Sequence, residues 1–296
     1  MTYSRPITEI IRQRFSCRTY LERPIEEGKR KRLQEEMASL RAGPLRDALH
    51  PAGAPLRFVL VAATEQDREA LRGLGTYGFI RGASGFIVGA VGRGVEDLEG
   101  YGYAMERLIL LATDLGLGTC WLGGFFSRGR FADKVSATEE VQVPAVAAVG
   151  IIADLPQARN TLLRRQIRAD SRLPWEKLFF EGGFGVPLGR EEAGAYAEPL
   201  EMVRLGPSAS NKQPWRLVQD GNDWHFYLQR TRGYGRGLAS ALLRIADIQR
   251  LDMGIAMCHF GLTARELGLR GGWVVHEPAI AKPDELTEYT VSWVSA

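Results

Sequence analysis

The sequence predicts a mixed helix-and-sheet fold of α/β or α+β class, because helical and strand patterns are interspersed along the chain. Two further observations frame that expectation. The chain has 296 residues and 45% hydrophobic content, enough for one large domain or two smaller ones. One pattern of core helix, glycine stop and tryptophan occurs twice.

Taken in order, residues 7–14 place Ile7, Ile10 and Ile11 at helical spacing. Pro24, followed by Ile25, Glu26 and Glu27, marks a second helix start, with proline in the first turn and acids behind it. The basic run 29–32 falls in that helix and reads as a solvated face. Residues 56–63 and 85–91 read as buried strands, and 103–115 as a long core helix stopped at Gly116-Leu117-Gly118. Residues 146–152 form a further strand and 199–204 a short helix. Residues 215–218 and 224–228 pair as a hairpin turning at Gly221-Asn222-Asp223. Residues 245–267 form a second long helix, and 289–294 alternate as a final strand. At one fixed offset the segment 102–121 repeats in 254–273. Gly102, Ala104, Met105, Ala112, the Leu-Gly-Leu stop and Trp121 return as Gly254, Ala256, Met257, Ala264, Leu267-Gly268-Leu269 and Trp273. Pro55–Val59 and Pro214–Val218 echo each other in type at a slightly different offset. The shared order of strand, helix, glycine stop and tryptophan favours duplication over chance likeness of two amphipathic helices.

Composition excludes several classes. A formal charge of +3 gives no concentrated basic face for nucleic acid. No apolar stretch is long enough to span a bilayer, and the polar N-terminus lacks a signal-peptide core. Three cysteines with no paired spacing build no disulfide framework, so a reducing, cytoplasmic compartment is expected. The four histidines are scattered, so no metal site is expected, and they read as incidental. Cys120 and Cys258 read as buried thiols at apolar helix ends. Cys17 is expected to be partly exposed, without a reactive role. Gly89–Gly94 lacks the spacing of a dinucleotide fingerprint.

Three constellations could carry chemistry. Arg14, Ser16 and Arg18 alternate, so an extended chain turns them to one side, where two guanidinium forks and a hydroxyl suit a phosphate. The alternative is an arginine-rich surface loop. The run from Gly206 to Trp215, with Pro207, Ser208, Ser210, Asn211 and Gln213, is a polar loop feeding a strand. Its serines and asparagine suit the edge of a planar, amide-rich ring, against the plainer reading of an Asx or Ser turn. After the first long helix, the run 115–126, with Gly118, Gly123, Gly124, Phe125 and Phe126, has small residues that let backbone N–H groups approach a ligand closely, against the plainer reading of a helix cap followed by a buried strand edge.

Together these motifs resemble the FMN-dependent nitroreductase family over most of the chain, Pro-Ser-Ala-Ser-Asn-Lys-Gln-Pro-Trp at 207–215 being the most specific part. The resemblance implies an α+β, three-layer α/β/α nitroreductase-like fold with FMN at a subunit interface. It implies Arg14, Ser16, Arg18 and Arg172 on the phosphate, Pro207, Ser208, Ser210 and Asn211 lining the flavin, and Leu122, Gly123 and Gly124 by its N5. Tyr77 and Arg81 are weaker candidates. The chain departs from the family pattern in a complementary way. Where the first Ser/Asn loop is expected stands Leu49–Leu56, without Ser or Asn. Where a second Arg-Ser-Arg motif is expected stands Glu181–Pro187. Each half keeps what the other lost, so the expectation is a single-chain pseudo-dimer, with halves 1–170 and 171–296, one FMN site and a monomeric state.

The implied function is hydride transfer from NAD(P)H through flavin to a nitroaromatic, quinone or similar small electron-poor acceptor, with no side-chain acid or base needed. The alternatives are a flavin-binding or sensing protein without turnover, and a reductive enzyme with a special substrate.

Overall fold

In a computed structural model of the protein, the residues described are 3–40, 56–76, 78–92, 98–124, 126–135, 141–159, 162–166, 168–233 and 246–296. The first part of the chain carries α1 (Ile7–Gln13), α2 (Glu27–Ser39), β1 (Arg57–Ala62), β2 (Gly85–Gly92), α3 (Leu98–Asp114), β3 (Gly118–Leu122), α4 (Arg128–Lys134), β4 (Val141–Gln142), β5 (Val146–Gly150), α5 (Leu155–Arg159) and α6 (Leu162–Gln166). The second carries β6 (Phe179–Glu181), α7 (Ala197–Leu205), β7 (Trp215–Asp220), β8 (Asp223–Gln229), α8 (Ile248–Glu266), β9 (Gly271–Val274) and β10 (Thr287–Ser295). The loop expected to have lost Ser and Asn, at 49–56, lies outside the described residues except for Leu56, and so do Tyr77 and Phe125.

The fold is α+β. The first sheet runs β1-β2-β5-β3 and the second β7-β8-β10-β9; in both, every neighbouring pair along that path is antiparallel. In each sheet the long helix lies in sequence between the second and third of its four strands. The two paths therefore follow one topology. β4 adds to β2, and β6 adds to the outer edge of β7 in parallel.

β2 shows why an unbroken apolar run forms a strand here. Ile87 and Val91 point into the cluster built on α3, whereas Phe86, Val88 and Ala90 point into the cluster on the opposite face. Period-two alternation with both faces buried reads as continuous hydrophobicity. The expected hairpin forms, pairing Asp220 with Asp223 around Gly221-Asn222. Gly221 has φ of 59°, the first central position of a two-residue turn that needs glycine.

α3 and α8 pack against each other, and their contact explains the repeated glycines. A Cβ on Gly102 would overlap the backbone carbonyl of Leu251. One on Gly254 would overlap that of Glu99 and lie 2.7 Å from the Tyr103 nitrogen. Gly102 and Gly254 are repeat equivalents, and so are Glu99 and Leu251, so each contact is the counterpart of the other. The α8 cluster also takes in Ile7, Ile10 and Ile11 of α1 and Tyr103 and Leu110 of α3. The N-terminal helix thus packs in the core of the second sheet.

Two expectations about cysteines change. Cys120 lies within β3 and Cys258 well inside α8, rather than at helix ends. Cys17 is fully buried, and burial pushes its thiol up to about 11, which leaves little thiolate. The cause is its pairing: the Cys17 N–H donates to Thr119 O at 2.8 Å beside β3.

Candidate functional site

Arg14 closes α1, and the chain turns extended there, with φ of −59° and ψ of 131°. Ser16 then bridges Thr119 of β3 in parallel and Thr19 bridges Arg81, so Arg14, Ser16 and Arg18 alternate with buried Cys17 along an extended segment. The Arg81 N–H donates to Arg18 O at 2.9 Å, which makes Arg81 a backbone partner of that segment. Arg14 Nε and Arg18 Nη1 are buried with no hydrogen-bond partner. Buried guanidinium donors are costly to leave without a hydrogen bond, and the Glu106 carboxylate lies 3.8 Å from Arg14 Nε, beyond hydrogen-bond reach. Burial also pulls the Arg14 guanidinium down, against the opposing field of Glu106.

Arg172 lies in the field of Arg14 and Arg164; burial first, then that repulsion, brings it down to about 10. Its fork is engaged. Nη1 donates to Ala169 O and Ser171 O, both at 2.8 Å, and Nη2 to Leu205 O at 2.9 Å. Only Nε is left without a partner. Arg172 therefore ties the 169–172 turn to the end of α7. Arg164, which sequence reasoning did not single out, donates to Ser16 O at 3.5 Å and pairs with Asp170. Cationic side chains from 14, 164 and 172 thus converge.

The Ser/Asn loop meets this cluster. Asn211 Nδ2 donates to Arg168 O at 2.6 Å and Ser171 O at 3.0 Å. Leu173 N donates to Gln213 Oε1 at 2.8 Å, and Gln213 N to Ser208 Oγ at 2.8 Å. Ser210, Asn211 and Gln213 have φ of 50°, 55° and 50°. Left-handed backbone at a non-glycine residue costs about 1–2 kcal/mol, and such strain persists only where the surroundings over-determine it. Pro207 precedes this strained turn. At its other end the loop faces α8: Ala209 N donates to the Asp252 carboxylate at 3.0 and 3.2 Å.

Leu122 ends β3 buried, and Gly123 O accepts from Arg128 Nη2 at 2.8 Å. A Cβ on Gly123 would meet Ile248 at 3.1 Å, whereas one on Gly124 would meet open space. Ile248 and Asp252 are one helical turn apart on the same face of α8. That face connects Gly123 to the Ser/Asn loop. Of the expected residues, the structure therefore joins Arg14, Ser16, Arg172, Ser208 and Asn211 through direct or shared neighbours, and links Gly123 to them through α8.

Sequence reasoning missed the charges beneath the site. Glu106 of α3 is fully buried. Its carboxylate accepts from Trp121 Nε1 at 2.7 Å and bonds His259 Nε2 at 3.0 Å, and Arg14 Nε lies 3.8 Å away. His259 Nδ1 faces Met202 O at 2.8 Å. A carbonyl only accepts, so Nδ1 carries a hydrogen and a further proton bridges Nε2 and Glu106. His259 is thus not incidental. The signal available in the sequence was a charged residue on the otherwise apolar face of a core helix. At the repeat offset Glu106 corresponds to Cys258, so this network exists on one side only.

The fold and these residues define a nitroreductase-like protein. The family described as "Putative TM nitroreductase" matches residues 6–264, and the chain belongs to that family. A solved Thermotoga maritima structure, described as a putative nitroreductase, is similar over 99% of this chain and 95% of its own, at 20% identity and a TM-score of 0.59. A nitroreductase family protein of Clostridium difficile covers 60% of this chain and 96% of its own, at 17% identity and a TM-score of 0.41. A Desulfovibrio desulfuricans putative nitroreductase, solved in complex with FMN, covers 58% and 99%, at 22% identity and a TM-score of 0.39. No curated protein matches. No helix among the described residues is long and apolar enough to cross a membrane.

Proposed function

We propose that this chain is an FMN-dependent oxidoreductase that takes hydride from NAD(P)H and delivers it to a nitroaromatic, quinone or similar electron-poor small molecule. The observation that carries this reading is that Arg14 Nε and Arg18 Nη1 are buried without a hydrogen-bond partner, on a segment that Arg164 of the cationic cluster joins at Ser16 O. Those residues fit a flavin mononucleotide. Arg14, Ser16 and Arg18 would hold its phosphate with charge-assisted bonds. Ser208, Ser210 and Asn211, with Pro207, would line the ring from the second half, and Leu122, Gly123 and Gly124 would face it from β3. Arg172 serves as a tie and a positive field beside the phosphate. When bound, the flavin supplies the redox chemistry that side chains lack.

The chain's own residues bind, orient and screen. Glu106 supplies the buried counter-charge that keeps Arg14 inside the protein. We read the two halves as a fused, diverged pair with one complete site, since the Arg-Ser-Arg segment survives only in the first and the Ser/Asn motif only in the second. The partner half being covalently supplied, the protein is a monomer in this reading. Its three unpaired cysteines suit the cytoplasm.

The test is a visible absorption spectrum after incubation with FMN and desalting. Retained flavin near one equivalent per chain supports the reading; no retained flavin sinks it. Steady-state NAD(P)H oxidation with a quinone then separates an oxidoreductase from a flavin-binding protein without turnover.

A further inference from the structure

The strained Ser/Asn loop is held by side chains from several directions. Gln213 and Asn211 tie it to residues 168–173. On the other side stands Asp252 of α8, a carboxyl 2% exposed whose two oxygens share the Ala209 N–H at 3.0 and 3.2 Å. Among the described residues no basic side chain bonds it. Asp247, the N-cap residue of α8, is taken up by Arg230. A buried carboxyl without a cation is expensive, and an apolar side chain would pack there at less cost. Its one evident gain is the acceptor it offers to Ala209.

Ala209 lies between Ser208 and Ser210, at the entry to the turn in which Ser210, Asn211 and Gln213 adopt left-handed backbone. Ile248, on the same helix face, packs on Gly123. Asp252 therefore stands between the two segments that the flavin reading places around the ring.

We propose that Asp252 is a positioning residue for this loop: by accepting from the Ala209 N–H it holds Ser208 and Asn211 in the conformation that meets the flavin, an inference that rests on the flavin reading above. The role needs an acceptor and no charge. Burial pushes the Asp252 carboxyl well above its ordinary range, which agrees with a group that works neutral. An asparagine carbonyl therefore substitutes for it and a leucine does not.

The experiment compares the wild-type protein with Asp252→Asn, Asp252→Leu and Asp252→Ala. Amide hydrogen exchange across residues 207–214 is read without ligand, and FMN affinity by flavin fluorescence. The expected result is that Leu and Ala speed exchange at Ala209–Gln213 by roughly tenfold or more and weaken FMN by a similar factor, while core amides of α8 keep their protection. Asn keeps both readouts within about threefold of wild type. Unchanged loop exchange in both Leu and Ala overturns the proposal. So does Asn behaving like Leu, since charge and not the acceptor would then matter. A wild-type protein that binds no FMN sinks the flavin reading and the ligand half of this role, while the exchange arm still decides whether Asp252 orders the loop.

Discussion

Replacing Glu106 by alanine removes the carboxylate around which residues from three parts of the chain are arranged. Trp121 Nε1 loses an acceptor at 2.7 Å and His259 Nε2 a partner at 3.0 Å. Each buried group left unpaired costs about 1–3 kcal/mol. Arg14, its side chain 5% exposed, also loses its counter-charge at 3.8 Å, and stranding one member of a buried ion pair costs about 3–5 kcal/mol. These costs share neighbours and do not add. The total is on the order of 5 kcal/mol, a large part of the roughly 5–15 kcal/mol that holds a native protein together. Glu106→Gln differs in kind. Its amide oxygen can accept from Trp121, and its NH₂ can donate to Nε2 of a neutral His259 whose Nδ1–H still reaches Met202 O. Every hydrogen bond survives and what is lost is the counter-charge of Arg14, so the cost falls to about 3 kcal/mol. Urea unfolding of the ligand-free proteins, followed by tryptophan fluorescence, measures both. An alanine variant within about 1 kcal/mol of wild type, or a glutamine variant as damaged as alanine, refutes this account of the network.

Other outcomes are equally open to measurement. Arg14→Ala and Arg18→Ala should each weaken FMN by about 1.5–3 kcal/mol, the worth of a charge-assisted bond, read by equilibrium titration; unchanged affinity removes the phosphate assignment. Gly254→Ala should force α3 and α8 apart and cost about 1–3 kcal/mol of stability, seen as a lowered thermal midpoint. Asp252 has a folded pKa above its unfolded one. Its contribution to stability is complete below the unfolded value of about 4 and lost as pH rises through the folded value. Asp252→Asn should therefore gain on wild type in thermal unfolding as pH is raised from about 4, and a constant difference counts against a buried, proton-holding carboxyl. Light scattering should report a monomer; a tight symmetric dimer contradicts the single-chain pseudo-dimer.

Much of the fold was legible because burial imposes a period. β2 and the helices α3 and α8 announce themselves through apolar spacing, and the hairpin of β7 and β8 through its glycine turn. β3, β6 and β9 are short and were not singled out as strands, since three to five residues carry too little pattern. The repeated glycines were visible as a coincidence of positions. Their reason, the near-contact of two backbones where α3 crosses α8, was not.

The sequence by itself determined the family, and it set out the Arg14, Ser16 and Arg18 pattern and the polar loop at 207–215, because each of these is local and written in residue type and spacing. Tertiary structure decided what those motifs face. It committed the Arg172 fork to backbone carbonyls and brought Arg164 beside Ser16. It set Asp252 against Ala209 and joined Glu106 to His259 across 153 positions of chain. Such partners come from the packing of one helix on another. Which buried charge meets which is fixed by the crossing of α3 and α8 and by the need to pair every polar group taken out of water, neither of which any short stretch of residues can express.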